Sequence, residues 1–158
     1  MLPAGPRLAV LLLGGFRALV DAAIVGLDEQ GFGEVRPVHV FAMNAIAEGA
    51  DTASELGRRL SVSKQAAAKT IATLIERKFV TREQDPTDGR RRTLRVTSLG
   101  LKVVAQGEKI INGVRKQWAK RIGMVEVERL EAHLATLVGD APDPIDSPGW
   151  LAQDHLES

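Results

Sequence analysis

The sequence predicts a mainly α-helical protein with one small β-hairpin, in which long helices from both ends of the chain flank a helix-turn-helix. Three observations support this fold class. Apolar residues recur at three- and four-residue steps over most of the 158-residue chain. Two of the helical segments are separated by a turn of only three residues, as in a helix-turn-helix. A turn rich in Asp, with one Pro and one Gly, then separates two short extended segments, which is typical of a hairpin.

Composition predicts a soluble globular protein and excludes several kinds of site. The chain has no Cys, which excludes disulfides, thiolate metal ligands and a Cys nucleophile. The longest apolar run near the start, Leu8 to Leu13, is too short for a transmembrane helix and lacks the features of a signal peptide. We therefore expect a cytoplasmic protein with no membrane partner.

Charge is distributed unevenly along the chain, although the formal net charge is only +1. Residues 51–100 contain 11 basic and 6 acidic side chains, whereas residues 1–50 contain 3 and 5, and residues 101–158 contain 7 and 9. A basic central segment between acidic flanks predicts that the centre of the chain meets a polyanion.

Two helices are predicted before residue 50. The first runs from Arg7 to Gln30 with an apolar stripe, which Gly14 and Gly15 weaken, and it ends at the turn Gly31-Phe32-Gly33. The second runs from about Pro37, a favourable first-turn residue, to Ala47.

The helix-turn-helix is predicted from its capping residues. Thr52 and Glu55 have the spacing of a capping box at the start of a short helix that ends near Leu60. Ser63 is a suitable N-cap for a longer helix that runs to about Arg77.

A hairpin and two more helices complete the predicted order. Strands are predicted at 79–83 and 92–96, and Thr97 can cap a helix that runs to about Arg121. Gly123 separates this helix from a last one ending near Leu137, and the Pro- and Asp-rich residues beyond Gly139 indicate a mobile tail. The terminal helices have more apolar stripe than a monomer of this size can bury, so we expect them to form the shared core of a homodimer.

The longer helix of the pair begins with residues suited to DNA contact. In helix-turn-helix proteins the N-terminal turns of this helix enter the major groove. Lys64 can donate to guanine, Gln65 can bind adenine through two hydrogen bonds, and Lys69 extends the same face by one turn. Ser63 and the helix N-terminus suit a phosphate. The alternative interpretation is an ordinary solvent-exposed helix, where Lys and Gln are common.

The hairpin turn ends in three consecutive arginines, Arg90, Arg91 and Arg92. Such a charge run is commonly a solvated surface. An arginine at the tip of a projecting loop is, however, attracted into narrow minor grooves, where negative potential is concentrated. Asp88 lies two residues before Arg90 and can fix its direction.

The same stretch resembles the wing signature of the MarR family of winged-helix regulators. Asp88-Gly89-Arg90, then five residues, then Val96-Thr97 and Gly100, match the family pattern Asp-x-Arg, five residues, Leu-Thr, x-x-Gly, with Val96 in place of Leu. The order of elements resembles the family over residues 7–138. Lys78 departs from the family, which commonly has Gly after the recognition helix, and a left-handed Lys there would cost about 1 kcal/mol.

The resemblance implies a winged helix-turn-helix at residues 36–97, dimerisation helices at 1–35 and 98–138, and a tail at 139–158. It also implies a homodimeric regulator of transcription that binds double-stranded DNA at a pseudopalindromic operator. The family default is a repressor. No enzymatic activity, cofactor or metal is expected.

The resemblance also assigns residues to the DNA interface. Arg90 takes the position of the family's wing arginine and Asp88 that of its orienting acid, while Lys64, Gln65 and Lys69 fall at base-reading positions. Arg91 and Arg92 are not fixed by the motif: they contact phosphate, or one of them pairs with Asp88.

Many members of the family have a small-molecule pocket between the dimer helices and the winged helix, often for aromatic acids or phenols. By resemblance, such a pocket in this chain would be lined from the second helix by His39, Phe41, Met43 and Asn44. A His on an apolar helix is more commonly a satisfied or exposed residue than a ligand contact. The absence of Cys excludes the thiol-oxidation mode of sensing.

Two other functions compete with DNA binding. An enzyme is not expected, because the three His residues are far apart in sequence and none has a metal-ligand spacing. Gly31-Phe32-Gly33 also lacks the Lys-Ser/Thr of a phosphate loop. The stronger alternative is a winged helix used as a protein-interaction module, or a regulator without DNA-reading activity.

Overall fold

A computed structural model describes Met1 and residues 3–139, and the predicted tail from residue 140 onward lies outside them. The elements follow in the order α1 (Ala4–Glu29), α2 (Pro37–Ala47), α3 (Ala53–Leu60), α4 (Lys64–Glu76), β1 (Val80–Gln84), β2 (Arg92–Val96), α5 (Ser98–Ile122) and α6 (Met124–Val138). The predicted fold class, mainly helical with one hairpin, is confirmed. The chain forms two compact units: the first combines Met1–Val35 with Ala105–Glu131, and the second contains Arg36–Val104 and the residues from Ala132.

The helix-turn-helix lies in the second unit and consists of α3 and α4. The buried residues of α4 are Ala67, Ile71 and Leu74, which share one face of the helix and pack in the core of this unit. Gly57 on α3 allows the turn to approach closely, because a Cβ there would lie only 3.0 Å from the carbonyl oxygen of Val62. The apolar spacing of α4 therefore fixes which of its residues face outward.

Four helices end in the same type of hydrogen-bonded turn, with a left-handed residue after the last helical turn. Gly31 and Gly49 occupy this position after α1 and α2, and Ser61 and Lys78 occupy it after α3 and α4. Lys78 has a φ of 61°, its N–H donates to the carbonyl of Ile75, and the next N–H donates to Leu74. The helix thus ends with Lys78 in a strained left-handed conformation, at the position where the sequence resemblance led us to expect Gly.

The hairpin pairs β1 and β2 in antiparallel register, from Val80 opposite Val96 to Gln84 opposite Arg92. β1 begins at Val80, one residue later than predicted, because the N–H of Phe79 is used to close the end of α4. Val80 and Leu94 are buried, which fixes the inner face of the hairpin.

Gly100 and Thr97 join the base of the hairpin to α5. The hydroxyl of Thr97 donates to the carbonyl of Lys78 at 2.6 Å and accepts from the N–H of Gly100 at 3.1 Å, so the predicted cap is confirmed. A Cβ at Gly100 would overlap the carbonyl of Phe79 and a methyl group of Val96. Both residues of the sequence signature therefore serve close packing at the hairpin base.

In the first unit, α1 packs antiparallel to the second half of α5 through small residues. Gly15 faces the ring of Trp118, and Gly26 lies against Ile110. Gly15, expected only to weaken the helix, thus lies at ordinary contact distance from Trp118, and the closer approach is at Gly26, where a Cβ would lie 2.7 Å from Cδ1 of Ile110. Arg115 of α5 donates two hydrogen bonds to the carboxylate of Glu131 of α6, from Nε at 2.5 Å and from Nη2 at 2.8 Å. The guanidinium of Arg115 lowers the pKa of Glu131.

The exposed N-terminal part of α1 is apolar on all sides. Leu8, Val10, Leu11, Leu12 and Leu13 are each at least 43% exposed, and successive residues of a helix point about 100° apart. The run Leu8 to Leu13, predicted to be too short for a membrane span, belongs to a longer apolar helix: α1 has 26 residues and an 18-residue window with mean hydropathy 2.1, so the helix as a whole has the length and composition of a membrane span.

Candidate nucleic-acid interface

The outer face of α4 presents the residues that were predicted to read DNA. Lys64, Gln65 and Lys69 are all exposed. Ala67 and Ile71, on the other face of α4, are buried in the core and so fix the orientation of the helix. Within the described residues, no side-chain hydrogen bond or ion pair occupies the polar ends of these three side chains. The first turns of α4 therefore carry two cations and one amide whose polar groups are available for a ligand.

Ser63 serves as the N-cap of α4, as predicted. Its Oγ accepts from the N–H of Ala66 at 3.1 Å, and its backbone is extended. The neighbouring N–H groups of the first turn remain at the helix surface beside Lys64. A helix N-terminus with a basic residue beside it is a suitable position for a phosphate.

The turn between the strands, residues 85–91, is tied by its own side chains. Oδ1 of Asp85 accepts from the N–H and the hydroxyl of Thr87, at 2.8 and 2.7 Å, and from the N–H of Asp88. These bonds to Thr87 lower the pKa of Asp85, so the turn keeps this charge at neutral pH. Across the turn, the side-chain amide of Gln84 donates to the carbonyl of Gly89 at 2.7 Å. The turn is therefore a shaped loop, which we call the wing tip.

Asp88 acts on Arg90 through the backbone. Oδ1 of Asp88 accepts from the backbone N–H of Arg90 at 3.0 Å. The expected contact of Asp88 with the guanidinium is absent from the described residues, and the pairing of Asp88 with Arg91 or Arg92 is likewise not seen there. The acid thus orients Arg90 by fixing its main chain, because a short Asp side chain is better placed to bind the N–H two residues ahead.

Arg90 and Arg92 are exposed, and their guanidinium groups have no ion-pair partner within the described part of the chain. Arg91 differs from both, because its Nη2 donates to Oδ2 of Asp51 at 2.5 Å. Sequence reasoning missed Asp51, which lies 40 residues before Arg91 and belongs to no recognisable local motif.

The four residues predicted to line a ligand pocket have different surroundings. Met43 is buried, and Phe41, Asn44 and His39 are half-buried. Nδ1 of His39 accepts from the N–H of Arg36 at 3.1 Å, so this imidazole helps to start α2.

A cavity of about 440 Å³ opens elsewhere in the second unit, and none of these four residues lines it. It lies beside the end of α2 and the hairpin base. Its wall includes Asp51 and Thr93, each with one buried side-chain oxygen that lacks a hydrogen-bond partner within the described residues. The described residues contain no group of three or more His, Asp or Glu that could hold a metal ion.

Comparison with known proteins agrees with this geometry. Residues 35–91, which run from the start of α2 to the wing tip, match the MarR family model. A search of curated proteins finds no significant match. The match confirms the predicted family for this segment, and MarR-family transcriptional regulators are not enzymes.

Solved structures share the fold over most of the chain. Wild-type MarR from E. coli in its apo form is 20% identical, with 87% of this chain and 98% of that chain covered and a TM-score of 0.61. A mutant of S. aureus MepR is 15% identical, with coverages of 87% and 97% and a TM-score of 0.65. S. aureus MepR in a complex with DNA is 17% identical, with coverages of 84% and 96% and a TM-score of 0.61. These likenesses show that the chain has the MarR fold.

Proposed function

We propose that this chain, which belongs to the MarR family of DNA-binding transcriptional regulators through residues 35–91, acts as a homodimer on a pseudopalindromic operator. Each subunit places α4 in the major groove and its wing in the minor groove. Half-sites are then expected about one helical turn, or ~10 bp, apart. Such a protein works in the cytoplasm beside the DNA that it regulates.

The observation that carries this proposal is the set of cationic and amide groups left unoccupied on one unit of the protein. Lys64, Gln65 and Lys69 lie on the outer face of α4, and Arg90 and Arg92 lie on the wing. Lys or Arg can bind guanine, and Gln can bind adenine, through the major-groove edges. Ser63 and the first turn of α4 are suited to a phosphate. S. aureus MepR, whose fold this chain shares, has been solved in a complex with DNA, which supports DNA binding by this fold.

The terminal helices support the homodimer. Large apolar side chains are exposed along α1, α5 and α6, which is more apolar surface than a stable monomer commonly leaves in water. They include Leu8, Val10, Leu11, Leu12, Leu13, Val25, Ile111, Ile122, Met124, Val125, Leu130, Leu137 and Val138. A second copy of the chain can cover these helices by repeating the same contacts about a two-fold axis.

A lipid bilayer is a poorer environment for α1 than a partner subunit. Arg17 and Asp21 lie in the middle of this helix, one turn apart. Each charged side chain at the centre of a membrane span costs roughly 2.5–3.5 kcal/mol. At a protein interface the same two side chains can face solvent or each other. We therefore assign the apolar surface of α1 to dimer contacts.

Repression and release by a small ligand complete the proposal. A dimer that occupies an operator blocks access to the promoter by position alone. The half-buried Phe41 and Asn44 on α2, beside the buried Met43, have the mixture of apolar and polar groups that suits an aromatic acid or phenol. Such a ligand releases the operator only if it binds better to a dimer whose wings do not match the operator spacing.

The alternative, a winged helix that binds protein, predicts a different salt dependence. A duplex that contains the operator should lose roughly 100-fold or more in affinity between about 50 and 200 mM salt, because each phosphate contact releases counterions. Fluorescence anisotropy with a labelled operator duplex, repeated at several salt concentrations, measures this slope. A shallow slope, or equal binding to operator and unrelated duplexes, would contradict sequence-specific DNA binding.

A further inference from the structure

The Arg91–Asp51 ion pair joins the wing to the helix-turn-helix. Nη2 of Arg91 lies 2.5 Å from Oδ2 of Asp51. Asp51 comes directly before Thr52, whose hydroxyl caps α3 by accepting from the N–H of Glu55 at 3.1 Å. The side chain of Arg91 is therefore attached to the start of the first helix of the pair, at a point fixed by a helix cap.

Arg91 also belongs to the wing tip that presents Arg90. The N–H of Arg91 donates to the carbonyl of Asp88 at 3.0 Å, and the carbonyl of Arg91 accepts from the N–H of Asp85 at 2.9 Å. Arg90 is thus held between Asp88, which binds its N–H, and Arg91, which is anchored by main chain and side chain together. Because Arg90 and Arg91 are joined by one peptide bond, a displacement of Arg91 also displaces Arg90.

The two partners of this ion pair differ in exposure. The side chain of Asp51 is only 12% exposed, whereas that of Arg91 is 57% exposed. Oδ1 of Asp51 is buried and has no hydrogen-bond partner within the described residues. A mostly buried carboxylate with one unsatisfied oxygen depends strongly on its single cationic partner. The pair is therefore a fixed contact, unlike the exposed surface pairs that exchange readily with water.

We propose that Asp51 is a wing-positioning residue for DNA binding. By holding Arg91 it sets the direction from which Arg90 enters the minor groove. This inference rests on the proposed function, because it concerns a wing that binds DNA. It also gives Arg91 a different role from Arg90 and Arg92, whose cationic groups are directed outward.

Charge and position predict opposite results when Asp51 is removed. An acidic side chain in a unit that binds a polyanion lowers the affinity through simple repulsion, so its removal should strengthen DNA binding. If Asp51 positions the wing, its removal should instead weaken binding. The sign of the change therefore separates the two effects.

The experiment compares Asp51→Ala with Glu48→Ala, which removes the same charge three residues earlier from an exposed side chain. We expect Asp51→Ala to lose roughly tenfold in operator affinity, the scale of one positioning contact. Glu48→Ala should bind as well as the wild type or slightly better. Unchanged or increased affinity for Asp51→Ala would overturn the proposal.

Arg91→Ala and the double variant test whether Arg91 acts through Asp51. If the ion pair positions the wing, each single variant and the double variant lose the same affinity, because all three remove one interaction. If Arg91 instead contacts phosphate directly, the double variant loses the product of the two single losses and a shallower salt slope follows, which would contradict the assignment.

Amide hydrogen exchange without DNA gives an independent readout. In Asp51→Ala, the amides of Asp85 and Arg91 should exchange faster, while those of Ile71 and Leu74 in α4 should not change. Unaltered exchange at the wing tip would overturn the positioning role, and faster exchange throughout the unit would show a general loss of stability instead. If the wild type binds no duplex, the proposed function fails, but this exchange experiment still decides whether Asp51 holds the wing.

Discussion

At the scale of single residues, the proposed DNA interface depends on which of three neighbouring arginines has a side chain without an ion-pair partner within the described residues. Arg90 and Arg92 have no ion-pair partner within the described residues, whereas Arg91 is bound to Asp51. Because Asp88 fixes the main chain of Arg90 and not its guanidinium, the side chain of Arg90 is available to the groove. We therefore expect Arg90 and Arg92 to contact DNA, and Arg91 to hold the wing in position through Asp51.

Replacing Arg90 with Ala should weaken operator binding and leave dimerisation unchanged. The guanidinium of Arg90 is the wing-tip cation that has no ion-pair partner within the described residues, so its loss should remove a minor-groove contact worth roughly 1–3 kcal/mol, or about 5- to 150-fold in affinity. A gel-shift titration measures the change. Arg82→Ala, on the exposed part of β1 away from the wing tip, serves as the control for loss of one positive charge. Equal losses in both variants would remove the wing tip from the mechanism.

Lys78 is a residue whose conformation has a measurable cost. Its φ of 61° is unfavourable for any residue with a Cβ, by about 1 kcal/mol or somewhat more. Lys78→Gly should therefore increase the free energy of unfolding by about 1 kcal/mol, as measured by urea denaturation. Lys78→Ala removes the same charge but keeps the Cβ and should give no such gain. Identical stabilities for the two variants would show that the strain is relieved in another way.

At the scale of elements, the sequence predicted what local chemistry determines. Thr52, Ser63 and Thr97 were predicted as helix caps, and each accepts a hydrogen bond from the N–H three residues ahead. The prediction for Glu55 was only half right, since its carboxylate pairs with Arg59 at 3.1 Å. A capping motif fixes a short segment of main chain. A long side chain such as that of Glu55 can instead pair with any suitable group within its reach.

Contacts between distant segments were not predictable in the same way. Asp51 and Arg91 are separated by 40 residues, and neither residue type nor spacing indicates that they meet. The start of β1 was predicted one residue early because Phe79 suits a strand by composition, although its N–H completes the end of α4. A contact over 40 residues decided the first position, and the local hydrogen bond from Phe79 to Leu74 that closes α4 decided the second.

The junction of the hairpin with α5 depends on the absence of a side chain at Gly100. A Cβ there would overlap the carbonyl of Phe79, so Gly100→Ala should lower the free energy of unfolding by roughly 1–3 kcal/mol. Gly113 lies on the same helix with nothing within 4 Å of a Cβ, and Gly113→Ala should be neutral or stabilising. Thermal or urea unfolding followed by circular dichroism measures both. Similar effects of the two substitutions would contradict the role of close packing at Gly100.

At the scale of the whole molecule, the proposed homodimer accounts for the apolar surface of the terminal helices. α1 is apolar on all sides near Leu11, which is 61% exposed in a single chain. No single chain can cover that surface with the elements described. In the proposed homodimer, a second subunit covers this surface and also supplies the second winged helix that a pseudopalindromic operator requires.

Leu11→Glu should convert the dimer to a monomer, because it places a charge in the apolar contact of α1. Light scattering after gel filtration should show a mass near 17.0 kDa for the variant and about twice that for the wild type. Operator affinity should fall with dimerisation. Ser54→Glu, at an exposed position of α3 outside the terminal helices, controls for the introduced charge and should remain dimeric. A Leu11→Glu protein that stays dimeric would place the interface elsewhere.

We propose that a dimer of this chain reads a specific operator through α4 and the wing. Footprinting on the DNA that flanks its own gene, with the wild type and Arg90→Ala side by side, tests this proposal. We predict two protected half-sites about one helical turn apart in the wild type, with protection from Arg90→Ala appearing only at higher protein concentration. Uniform or absent protection by a wild-type protein that remains dimeric would contradict the claim.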